Sequence, residues 1–185
     1  MLSKVGESPV EFFREKVEAA LKHQHCKVNE LASFYVVNLL ASFAFREFHP
    51  DPVGTSFCQA LQTGGSKKRD GLRQVGDVSL FIAGFFSDSL KRKLVDVDYY
   101  TQVGSRAYAI LSDEHPSNSK MFGELSLHFC DFVSVLDEVS QETHLTDPTN
   151  ILRQYEKWVQ TGNRQSAELL ARAGICPVKA NRIVQ

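Results

Sequence analysis

The chain has 185 residues, of which 43% are hydrophobic and 23% charged, and its net charge is −1. That balance excludes global disorder and argues against a protein whose main work is coating nucleic acid or an anionic membrane, while leaving room for a local basic patch. A chain of this length buries about 70% of the surface its unfolded form exposes, so it folds without a disulfide or metal staple.

The thirteen phenylalanines predict a ring-rich core or pocket. Cys26, Cys58, Cys130 and Cys176 form no CxxC pair, and Met1 to Pro9 carries no apolar secretory segment. Free thiols in a reducing cytoplasm are the expectation.

Helix signals then follow in chain order. Ser8-Pro9-Val10-Glu11 reads as a capping box with proline at the first helical position. Val10, Phe13, Val17, Ala20 and Leu21 recur behind it on one stripe, and the helix runs out among His23 to Lys27. Asn29 is the expected cap of a second helix with Leu31, Phe34, Val37, Leu40, Ala41 and Phe45 as its core face. Apolar residues fill most of its other sides, which places it in the middle of a domain. Polar interruptions between Leu31 and Phe48 keep this run short of the ~20 clean apolar residues of a membrane span.

His49-Pro50-Asp51-Pro52 breaks that helix. A short helix over 56–62, a loop at 63–66 and a long helix over 68–86 are expected next. The long helix carries Leu72, Val75, Ser79, Ile82, Ala83 and Phe86 on one side. A connector over 87–93 precedes a helix capped by Asp98, with Tyr100, Val103, Ala107, Ile110 and Leu111 in one stripe. After Pro116, Ser117 or Asn118 opens a long helix through Phe122, Leu125, Phe129, Phe132, Val133, Leu136 and Val139. Thr146-Asp147-Pro148 starts another that Gly162 stops, and Asn163 caps a last one ending at Gly174. No alternating strands joined by tight turns occur. The expectation is all-α: one domain of about seven or eight helices over residues 1–176, with a short tail at 177–185.

Chemistry is less legible. His23 and His25 lie two residues apart and point in different directions on a helix, so a polar helix end is preferred to a metal site. Gly64-Gly65-Ser66-Lys67-Lys68 fails the phosphate-loop pattern. Basic clusters at Lys67-Lys68-Arg69, at Lys91-Arg92-Lys93 and at Arg164, Arg172, Lys179 and Arg182 read as solvated faces, without a nucleic-acid-binding motif. Asp77 follows Arg73 by one turn, so an intrahelical pair is available. Gly76 and Gly84 point to close approach by another helix or a ligand. Asp77, Tyr100, Arg106 and Tyr108 are the candidate ligand-binding group, with Arg106 holding an anion and the tyrosines stacking or donating. A cap, a glycine crossing and surface side chains explain the same residues structurally.

Gly76-Asp77, Leu80-Phe81, Gly84-Phe85-Phe86, Val95-Asp96-Val97-Asp98-Tyr99-Tyr100, Gly104 and Ala107-Tyr108 are similar to a group of bacterial proteins with no assigned activity. The resemblance covers about a third of the chain with distinct residues. It implies a bacterial cytoplasmic origin and transfers no function or site. No catalytic or cofactor signature stands out. The leading expectation is a non-enzymatic binding or regulatory module acting through a protein partner or a second copy, with no nucleic acid and no membrane as partner. The alternative is a small-molecule-binding protein or enzyme built on a phenylalanine-rich pocket around the four candidate residues.

Overall fold

The computed structural model describes residues 8–43, 51–90, 96–114 and 116–146. The expected all-α class is observed, with no strand among the described residues. The helices are α1 (Pro9–His23), α2 (Glu30–Phe43), α3 (Val53–Gln62), α4 (Gly65–Phe85), α5 (Ser87–Leu90), α6 (Val97–Glu114), α7 (Ser119–Leu127) and α8 (Phe129–Thr146). A 3-10 turn, Pro116–Asn118, leads into α7. The chain divides into two compact units, Met1–Val139 and Ser140–Gln185, with the boundary inside α8. The core and every contact below belong to the first. The expected helices beyond Thr146, the break at 49–50, the basic end at 91–93 and the cluster from Arg164 onward lie outside the described residues.

The expected capping box opens α1. Glu11 N–H donates to Ser8 Oγ (3.2 Å), and Ser8 N–H donates to Glu11 Oε2 (3.0 Å). Phe13, Val17, Ala20 and Leu21 then face inward. The helix ends in a Schellman arrangement: Cys26 N–H donates to Leu21 O (3.0 Å) and His25 N–H to Lys22 O (3.2 Å). His25 occupies the left-handed position usually given to glycine, at φ 55°. The chain then ties back to the core. Gln24 Nε2 donates to Glu138 Oε2 (2.7 Å) and Ser134 O (3.2 Å) on α8, and Asn29 N–H donates to Glu124 Oε1 on α7 (2.8 Å).

Asn29 caps α2 as expected, its Oδ1 accepting from Leu31 N–H at 2.7 Å. The face it buries differs in part. Val37 and Leu40 are buried as expected, together with Ala32, Val36 and Leu39, whereas Leu31 and Phe34 are 61% and 51% exposed, and Phe45 lies outside the described residues. A helix that is apolar nearly all round has no dominant stripe, so packing against α1, α4 and α7 chooses the face.

α3 begins three residues ahead of expectation, and α4 begins at Gly65, which shortens the connecting loop to Thr63 and Gly64. Leu72, Val75, Ser79, Ile82 and Ala83 are buried on α4, and Val78, Leu80 and Phe81 are buried on its other sides. Phe86, expected on the same stripe, sits beyond the helix end and is 38% exposed. A methyl group at Gly84 would overlap Leu136 of α8, so this glycine does mark close helix approach. On α6 the cap is Asp96 rather than Asp98. Asp96 Oδ1 accepts from Asp98 N–H (3.4 Å), and the helix begins at Val97.

The long helix expected after Pro116 is divided at His128. His128 N–H still donates to Glu124 O (2.9 Å), and its carbonyl accepts from Phe132 N–H (3.0 Å). The division is therefore a kink, and the core face stays in register across it. Phe122, Leu125, Phe129, Phe132, Leu136 and Val139 are all buried. No helix of the described residues is long and apolar enough to cross a membrane.

His25→Gly should raise stability by about 1 kcal/mol, because the left-handed conformation then carries no Cβ penalty. Gly84→Ala should lower it by about 1–3 kcal/mol through overpacking against Leu136. Denaturant unfolding of the two variants checks both signs.

Candidate functional site

The most polar feature of the core is built on α4, whose second half is buried on nearly every side. A carboxylate at its edge needs partners, since an unpaired buried charge costs free energy or takes up a proton. Asp77 finds two. Tyr35 of α2 and Tyr108 of α6 both donate their phenol protons to Asp77 Oδ1, each at 2.7 Å.

Aromatic packing fixes the two rings. Tyr108 is fully buried, and its ring lies where a side chain at Gly76 would be. Phe122 stacks on Tyr108 (5.9 Å between centroids) and meets Tyr35 edge-on (5.8 Å). Phe129 closes the other side of Tyr108 at 5.9 Å. The glycine expected to mark a close approach thus marks the seat of a tyrosine.

Burial pushes the Asp77 carboxyl from its ordinary 3.8 up to about 6, against the two phenol hydrogen bonds and the more distant Arg73 charge, which pull it down. Burial, and then the Asp77 charge, push both phenols well above their ordinary range. Tyr35 and Tyr108 therefore stay protonated donors at any physiological pH, and neither serves as a base. The trio holds three helices together and offers no activated nucleophile.

Of the four candidate ligand-binding residues, Asp77 and Tyr108 are brought together and Tyr100 and Arg106 are not. Arg106 is exposed. Tyr100 is half-buried against a separate small cluster of Val53, Val78, Ile82 and Leu90, edge-on to Tyr99 at 5.4 Å. Burial, then Tyr99, raises its phenol pKa. Helix geometry explains the separation. Eight residues from Tyr100 to Tyr108 rise about 12 Å and turn about 80° out of line, and Arg106 lies about 200° from Tyr108. The expected Arg73–Asp77 pair is replaced by a longer contact from Arg73 to Asp70, 3.8 Å. Tyr35 is not among the residues that the sequence groups together. Its signal is a lone phenol on an otherwise apolar helix, which a buried carboxylate elsewhere could have claimed.

No group of histidine, cysteine and acidic side chains suited to a metal occurs among the described residues. His23 instead bonds Glu138 Oε1 through Nδ1 (3.0 Å), and His25 is turned to solvent.

Elsewhere the described residues form a groove and a smaller pocket. A groove of about 680 Å3 between α1 and α2 has Leu21, Val28 and Val37 among its apolar lining and is edged by Leu31 and Phe34. Arg14, Glu18, Lys22 and Glu30 also line it, and the Arg14 guanidinium lies 5.8 Å from the Phe34 ring centre. A smaller pocket of about 210 Å3 lies between the start of α4 and the start of α7. Asp77, Tyr100, Arg106 and Tyr108 line neither.

No protein-family model, curated protein or solved structure matches the chain.

The raised Asp77 pKa fixes a sign. Between about pH 4 and 6 the folded chain holds a proton that the unfolded chain has released. The stability this group contributes is complete below about 4 and is lost as pH rises through about 6. Asp77→Asn keeps an oxygen for both phenols and carries no charge. It should match wild type near pH 4 and exceed it by about 2–3 kcal/mol near pH 7. Asp77→Leu should cost about 2–4 kcal/mol near pH 4 by leaving the phenols without an acceptor, and about 2–3 kcal/mol less than that near pH 7, where the wild type has lost the same contribution. Urea unfolding of the three proteins at both pH values provides the comparison.

Proposed function

We propose that this chain is a non-enzymatic interaction module that holds an amphipathic helix of a protein partner in the groove between α1 and α2. The observation that carries the reading is the outward exposure of Leu31 and Phe34, at 61% and 51%, on a helix that buries five other apolar residues. Two large apolar side chains beside an apolar floor, with charged groups around them, have the anatomy of an interface: a desolvated centre inside a polar rim.

The charge pattern favours a different chain over a second copy. Arg14, Glu18 and Lys22 follow one another at one-turn spacing along the α1 edge. A two-fold pairing of that edge about Glu18 would set Glu18 against Glu18 and Arg14 against Lys22. A helix carrying the opposite alternation meets each charge with its complement. The three cysteines among the described residues are free, which suits the reducing cytoplasm in which we place the protein.

The small-molecule alternative draws less support. Asp77 and Tyr108 direct their polar atoms to each other and to Tyr35, while Tyr100 and Arg106 face elsewhere.

A photo-crosslinking residue in place of Phe34 tests the proposal in the protein's own host. The expected result is a discrete adduct with a different protein, lost when Leu31→Glu is added and absent when the probe replaces the exposed Glu15. An adduct of twice the chain's own mass, or equal labelling from position 15, would contradict it.

A further inference from the structure

We propose that the pocket between the start of α4 and the start of α7 binds a phosphate group through Arg69 and Arg73. The two arginines stand one turn apart on α4 and line the same pocket, with Ser66 beside them and Asn118 opposite, at the entry to α7. Leu111 and Phe122 complete its lining, and both are buried. Arg69 is half-buried and has no ion-pair partner among the described residues. Arg73 makes only the 3.8 Å contact to Asp70, whose side chain is 71% exposed. Asn118 makes no capping hydrogen bond, so its amide remains available to a ligand.

Shape selects the ligand class. Asp70 lines the same pocket and lowers its positive potential for any anion, so the geometry of the two arginine forks makes the distinction. A carboxylate offers two oxygens in one plane, enough for one guanidinium fork. A phosphate group offers three outward oxygens, takes a fork from each arginine and leaves an acceptor for Asn118 or Ser66. The volume of about 210 Å3 lies below the roughly 300–1,000 Å3 of sites for drug-sized molecules. Free phosphate or the head of a small phosphomonoester fits it, and the Phe122 ring gives an ester's organic part an apolar face. Phe122 also packs on Tyr35 and Tyr108, so the wall is held by ring contacts within the core and needs little rearrangement to bind.

Calorimetric titration of the intact protein with inorganic phosphate and with phenyl phosphate, against chloride of matched ionic strength, tests this site. Saturable binding of one phosphate group per chain is expected. Arg69→Gln and Arg73→Gln should each weaken it about tenfold, while Lys67→Gln and Arg106→Gln leave it unchanged. Shifts of the Asn118 and Phe122 resonances during a phosphate titration of the wild type give a second readout that needs no variant. Tighter binding of phenyl phosphate identifies a phosphomonoester as the ligand class, and equal or weaker binding identifies free phosphate. No saturation beyond the chloride control, binding untouched by both arginine variants, or equal binding of acetate would overturn the proposal.

Discussion

One carboxylate oxygen receives two phenols, and the arrangement of the helices follows from that. Asp77 sits on the most deeply buried helix, where its charge is tolerated only if donors reach it. Tyr35 fixes the rotation of α2 and Tyr108 that of α6, while Gly76 opens the space the second ring needs. Phe122 and Phe129 then wall the phenols in, which brings α7 and α8 onto the same centre. A hydrogen-bonded charge of this kind adds little net stability over apolar packing. It does exclude helix rotations that would leave the carboxylate without donors.

The outer surface of α2 is a consequence of the same tie. At about 100° per residue, Tyr35 stands at the edge of the buried arc formed by Ala32, Val36, Val37, Leu39 and Leu40. Leu31 and Phe34 fall within about 100° on the far side of it, together with Asn38 and Ser42. The interaction that orders the interior thereby sets two large apolar side chains at the mouth of the α1–α2 groove. Rim charges on α1 and a Schellman end held by His25 complete that mouth.

The fold was legible where local chemistry is unambiguous. The Ser8–Glu11 box, the Asn29 cap and the Phe122-to-Val139 stripe all read directly from residue spacing, because each depends on residues within a few turns of one another. The core face of α2 did not, since counting apolar residues on an all-apolar helix cannot choose among its sides. Asn38 and Ser42 carried the missing information: both point outward and bond back to the carbonyls one turn earlier. The candidate site was half legible. Asp77 and Gly76 announce a buried carboxylate and a close approach, but Tyr35 lies 42 residues away, and no local spacing connects it. Tyr100 and Arg106 are near Tyr108 in sequence, and the helical twist between them separates what the chain places close together.

The helix arrangement rests on an Asp77 carboxyl bonded by both phenols. Its most direct test is an NMR titration of the Asp77 side-chain carbon in the intact protein, with the Tyr35 and Tyr108 hydroxyl protons followed alongside. A midpoint near 6 is expected, with hydroxyl protons that exchange slowly enough to be seen on both sides of it. A midpoint near the ordinary 3.8, with no observable hydroxyl protons, would show a solvated carboxylate and contradict it.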